Sequence, residues 1–178
     1  FVNMCLSGVC PRDISNILFG GKLISLNKKS GGIRPIVIGF TLRRLTSKLA
    51  NTFGISRLST YFSPRQLGVG TPGGCEAAVH ASRRFLQSLN DEKVFVKLDF
   101  SNAFNSLHRQ DMLLAIRERL PEIYAYVFSS YSEPSNLFYG SFELMSSEGP
   151  QQGDPLGLLL FSNAIQPLLN SFKSELTV

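Results

Sequence analysis

The nine residues Gly149-Pro150-Gln151-Gln152-Gly153-Asp154-Pro155-Leu156-Gly157 constrain this chain more than any other stretch, because three glycines and two prolines among them force a turn that runs straight into an apolar segment ending near Leu169. Gly153 lets backbone come close to a neighbour, Pro155 suits the first turn of a helix, and Asp154 fits as that helix's N-cap. A second segment, Val94 to Asp99, alternates: Val94, Val96 and Leu98 take one face while Phe95, Lys97 and Asp99 take the other. This reads as a strand with Asp99 at its C-terminal end, on the side facing away from packed helices. Each segment alone is ordinary; in this order they form a pair that few folds carry.

The rest of the chain supplies a consistent frame. Apolar runs over residues 18–26 and 33–38 bracket a basic, glycine-rich tip at residues 27–32, which fits a hairpin. Leu42, Leu45, Leu49 and Phe53 recur at helical spacing, predicting an amphipathic helix over residues 41–61 with Arg43, Arg44 and Lys48 on its polar side. Ser63-Pro64 and the stretch from Gly68 to Gly74 form a flexible joint. Helices follow near residues 78–89, 111–120 and 123–131, the last entered through Pro121. Residues 137–139 and 142–144, joined by Gly140-Ser141, suit a small hairpin.

Charge changes sign at the joint. Up to Cys75 there are ten Lys and Arg against one acid, Asp13, while from Glu76 onward eight Lys and Arg face twelve Asp and Glu. A basic first part favours a polyanionic partner. Three cysteines (Cys5, Cys10 and Cys75) and two histidines favour free thiols in a reducing, intracellular setting over a Cys/His metal site; nucleus and cytoplasm are not distinguished. No apolar run approaches the roughly 18 to 20 residues of a membrane span.

The segment from Asp99 to Asn105, taken with Pro150-Gln151-Gln152-Gly153-Asp154-Pro155, resembles the palm of a reverse transcriptase of the non-LTR retrotransposon kind, over roughly residues 18–169. The resemblance implies an α/β fold of palm and fingers, with a fingers-like basic subdomain at residues 1–70 and a partial palm at 71–178. It implies an RNA-directed DNA polymerase working on an RNA template, a DNA primer and deoxynucleoside triphosphates, with two Mg²⁺ or Mn²⁺ ions stabilising the attacking and leaving oxygens. Asp99 and the backbone carbonyl of Phe100 are then metal ligands. Phe104 packs under the sugar and excludes a 2′-hydroxyl, and Gln152 and Gly153 meet the nucleotide. Arg34, with Lys28 or Lys29, grips the triphosphate, while Arg43, Arg44 and Lys48 contact template backbone.

Nothing after Phe161 resembles the aromatic-x-Asp-Asp hairpin that carries the second carboxylate of that family, and the chain opens on Phe1. The expectation is therefore a fragment cut before the central palm hairpin, inactive alone and poorly soluble because the Asp99 strand lacks a neighbour. Two other readings fit the same residues: a non-catalytic or domesticated nucleic-acid-binding relative, and a maturase-like protein of a group II intron. Oligomeric state is not legible.

Overall fold

The computed structural model describes residues 1–29 and 31–172. The first hairpin forms where the apolar runs end at a glycine-rich tip: β1 (Gly21–Asn27) pairs antiparallel with β2 (Ile33–Gly39), Leu26 opposite Arg34 and Gly21 opposite Gly39. Ser30 of the tip lies outside the described residues. Two short helices precede the hairpin, α1 (Val2–Leu6) and α2 (Arg12–Phe19), and a long one follows, α3 (Thr41–Phe62). After the joint come α4 (Gly74–Gln87), α5 (Arg109–Arg119) and α6 (Pro121–Tyr131), the last with Pro121 in its first turn as expected. The small hairpin is β3 (Ser135–Tyr139) with β4 (Phe142–Ser146), and α7 (Gly157–Ser171) follows the glycine- and proline-rich turn.

One pairing could not be read locally. Gly21 and Lys22 of β1 lie parallel to Leu137 and Phe138 of β3, so the two hairpins merge into one sheet of order β2-β1-β3-β4. The core beneath is likewise shared: Leu18, Phe19, Ala50, Leu58 and Phe62 pack with Met112, Ile116, Tyr126, Leu156, Leu159 and Leu160. Sheet and core thus both draw residues from either side of the joint.

Two expectations are overturned. The apolar stripe of α3 does not face the core: Leu42, Leu45 and Leu49 are exposed, and the buried face is Arg43, Thr46, Ser47, Ala50, Gly54, Leu58 and Phe62. Small residues win because they admit close neighbours. A Cβ on Gly54 would lie 2.3 Å from Cδ2 of Leu159, and Ser47 Oγ sits 2.7 Å from the Tyr126 hydroxyl. Second, residues 94–99 form no strand. They run irregular and exposed, with Phe95 resting against Phe85 of α4 at 6.1 Å between ring centroids. A strand needs a ladder, and among the described residues none is offered to this segment.

Tyr126 is buried against α3 and donates to the Arg43 carbonyl at 3.2 Å. Burial, reinforced by the Asp154 carboxylate, pushes its phenol up to about 12; burial likewise raises Tyr131 well above 10. A raised phenol favours the folded state while neutral. This stability is complete below the ordinary value of 10 and is lost as pH climbs through the folded value. The denaturation midpoint is expected to show no pH dependence from these phenols between pH 7 and pH 9, where their contribution is complete, and to fall above pH 10. In Tyr126→Phe that alkaline fall should be shallower; an identical fall would show that Tyr126 does not titrate with unfolding.

Candidate functional site

The turn before α7 is held by two glycines with positive φ. At Gly149 (φ +58°) a Cβ would lie 1.8 Å from the Phe104 carbonyl oxygen, and at Gly153 (φ +114°) it would lie 2.3 Å from that of Val37. Only glycine fits either place. Between them, the Gln152 carbonyl accepts the Val37 N–H at 2.6 Å, docking the turn onto β2. Asp154 is not the N-cap of α7 as expected: Leu156 holds that position without a side-chain cap bond, and Asp154 Oδ1 instead accepts the Leu156 N–H at 3.0 Å.

This docking closes one side of a cleft of about 500 Å³. β2 contributes Ile33, Arg34, Pro35 and Ile36, the hairpin tip contributes Lys28, and the turn contributes Gln152, Gly153 and Asp154. Asn102, Ala103 and Phe104 line it as well, with Leu158 of α7. Residues 101–106 coil as successive turns, in which the Asn102 carbonyl accepts N–H groups from Asn105 at 2.9 Å and Ser106 at 3.0 Å. Phe104 stacks on Phe161 with centroids 5.0 Å apart and planes within 6°. Lys28 and Arg34 bring positive charge to the cleft, beside the Phe104 ring, the amides of Asn102 and Gln152, and aliphatic residues.

Of the residues singled out in the sequence, Lys28, Arg34, Phe104, Gln152 and Gly153 thus meet in one space. Lys29 is exposed on the hairpin tip and lines no part of it. Asp99 and Phe100 stand outside the cleft in the exposed segment; Phe100 borders a separate apolar groove with Phe161 and Leu168. Among the described residues no three His, Cys, Asp or Glu side chains gather where they could hold a metal ion. Asp99 and the Phe100 carbonyl offer oxygen donors suited to Mg²⁺, yet they do not amount to a two-ion site.

Arg43 does not face solvent, where a template backbone would have to meet it. Its side chain is 2% exposed and pairs with Asp154, itself 3% exposed, at 3.1 Å from Nη2 to Oδ2. Nη1 donates to the Phe19 carbonyl and to Gln151 Oε1, each at 2.6 Å. Burial is the largest influence and opposes its charge, but the Asp154 carboxylate together with the Tyr131 and Tyr126 phenols raises the guanidinium pKa above its ordinary value. Arg44 and Lys48 remain exposed on α3.

Sequence reasoning missed Arg109, Tyr131 and the role of Gln151. Arg109 donates from Nε to the Gly149 carbonyl at 3.2 Å and from Nη2 to Ser146 Oγ at 2.9 Å. The Tyr131 ring lies between the two guanidiniums, 5.5 Å from that of Arg43 and 5.2 Å from that of Arg109, and its hydroxyl donates to Asp154 Oδ2 at 2.5 Å. One signal was available. Both arginines occupy first helical turns, where the helix dipole disfavours cations, so each needed a tertiary partner.

Residues 26–178 match the protein family described as Reverse transcriptase (RNA-dependent DNA polymerase). The chain matches no curated protein. No helix among the described residues is long and apolar enough to cross a membrane.

Proposed function

Because the chain belongs to the reverse transcriptase (RNA-dependent DNA polymerase) family, we propose that the cleft between β2, the turns at 101–106 and the Gln152–Asp154 turn takes an incoming deoxynucleoside triphosphate. The carrying observation is the convergence of Lys28 and Arg34 with Phe104, Gln152 and Gly153 on one cleft. Arg34 offers a planar fork to phosphate oxygens and Lys28 a point charge, so both favour the triphosphate. Phe104, pinned by its stack on Phe161, stands as a wall against a 2′-hydroxyl. Gln152 presents an amide that serves any base or the template without reading sequence.

The template and primer are RNA and DNA on this reading, with exposed Arg44 and Lys48 of α3 and Lys29 of the hairpin tip meeting phosphates. The non-LTR kind of parent element suits the pair of motifs at Asp99 and Gln152. Divalent ions, which the family normally uses, would supply the charge stabilisation of nucleotidyl transfer, with Asp99 and the Phe100 carbonyl as donors. The described residues do not complete that site, so primer extension by this chain alone is not expected.

Equilibrium dialysis with dGTP and GTP tests the cleft directly. The protein should hold dGTP more tightly, and Phe104→Val should narrow the preference by about tenfold. An unchanged ratio in a folded Phe104→Val protein would sink the steric role of Phe104. A second reading, a nucleic-acid-binding protein without catalysis, is favoured by the exposed, isolated position of Asp99. It wins if the chain binds RNA but neither nucleotide.

A further inference from the structure

Gln151 and Gln152 are neighbours with opposite surroundings. Gln152 borders the cleft, whereas Gln151 is 5% exposed and every polar atom of its amide is engaged. Its Oε1 accepts from Arg43 at 2.6 Å, and its Nε2 donates to the Phe19 carbonyl at 3.2 Å and to Ser135 Oγ at 2.8 Å. Its backbone N–H donates to the Tyr131 hydroxyl oxygen at 3.3 Å. A side chain so occupied has nothing to give a ligand.

We propose that Gln151 is a positioning residue for the cleft: together with Arg43 and Tyr131 it fixes the height of the Gln152–Gly153 backbone against β2, so that Gln152 and Arg34 address one ligand from fixed places. The inference rests on the nucleotide reading above. The turn is clamped at both ends by guanidiniums, Arg109 on the Gly149 carbonyl and Arg43 on Asp154, with the Tyr131 ring between them. Gln151 ties its middle to α2, α3, α6 and β3 at once. The bond from Val37 N–H to the Gln152 carbonyl then carries that placement to the strand bearing Arg34. Binding groups held by packed side chains lose little freedom when a ligand arrives; loosened ones must be ordered by it.

The test is Gln151→Met, which keeps length and removes the amide, read by dGTP dialysis and by hydrogen exchange at the Val37 amide. The expected results are a dGTP Kd raised about tenfold and faster exchange at Val37, while the other β2 amides are unchanged. Gln151→Glu, which keeps the acceptor toward Arg43, should recover part of both. Ile116→Val, a core change away from the turn, controls for lost stability and should move neither. If Gln151→Met does not fold, Ser135→Ala removes one of the same bonds and should raise Kd a few-fold. Unchanged Kd and unchanged Val37 exchange in a folded variant overturn the proposal. If the unaltered protein does not bind dGTP, the nucleotide reading falls, and exchange at Val37 alone decides whether Gln151 positions the turn.

Discussion

Arg43→Met is expected to cost about 3 to 5 kcal/mol of folding stability, the usual penalty for leaving one member of a buried ion pair without the other. For a chain of this size that is a fall in Tm of roughly 10 °C. Asp154 would keep donors in the Tyr131 hydroxyl and the Leu156 N–H but lose its cation, and the Phe19 carbonyl and Gln151 Oε1 would each lose a donor. Arg43→Lys should fall between, since one ammonium cannot span the Phe19 carbonyl, Gln151 and Asp154 as a planar guanidinium does. The double change Arg43→Met with Asp154→Leu should recover much of the loss, because it removes the stranded charge as well as its partner. Thermal melts of the three variants check this. A double variant no more stable than Arg43→Met would show that the cost lies in packing around Phe19 and Tyr131, whose rings flank the guanidinium at 5.8 and 5.5 Å.

Gly149→Ala is expected to cost as much or more, for a different reason. Positive φ alone costs a non-glycine residue about 1 to 2 kcal/mol. At Gly149 the added Cβ also meets backbone, the Phe104 carbonyl oxygen at 1.8 Å, which no rotamer change can relieve. Gly140, in the turn between β3 and β4, isolates the first cost: its φ is +60° and nothing lies within 4 Å of the Cβ it would carry. The difference in Tm between Gly149→Ala and Gly140→Ala measures the steric part, expected to exceed about 2 kcal/mol on the scale of overpacked sites. Phe104 would shift with its carbonyl, so the dGTP preference should also fall in Gly149→Ala and hold in Gly140→Ala. Equal losses of stability would show that the turn yields easily and does not pin Phe104.

Much of the candidate site was legible because its parts are local. A glycine-rich tip between apolar runs makes a hairpin, and a turn of glycine and proline before an apolar run starts a helix; both signals lie within about ten residues. Arg34, Phe104 and Gln152 were picked out by the segments around them. Their meeting in one cleft was not. Arg43 was misassigned for a physical reason: hydrophobic spacing puts the leucines of α3 inside, whereas close helix contacts select Ser47, Ala50 and Gly54 and draw Arg43 in with them. Residues 94–99 alternate as a strand should, but alternation specifies a face, not a partner.

By itself the sequence determined the two hairpins, the helices from α3 onward with their turns, and the basic first part against the acidic second, because propensity, periodicity and turn chemistry act over short stretches. The tertiary structure alone decided which face of α3 is buried, that β1 and β3 join two hairpins into one sheet, and that Phe19, Arg43, Arg109, Tyr131, Gln151 and Asp154 converge beneath the turn. Those contacts link residues up to 132 positions apart, and a polar group's partner at that range is set by the packing of whole elements, which no local pattern encodes.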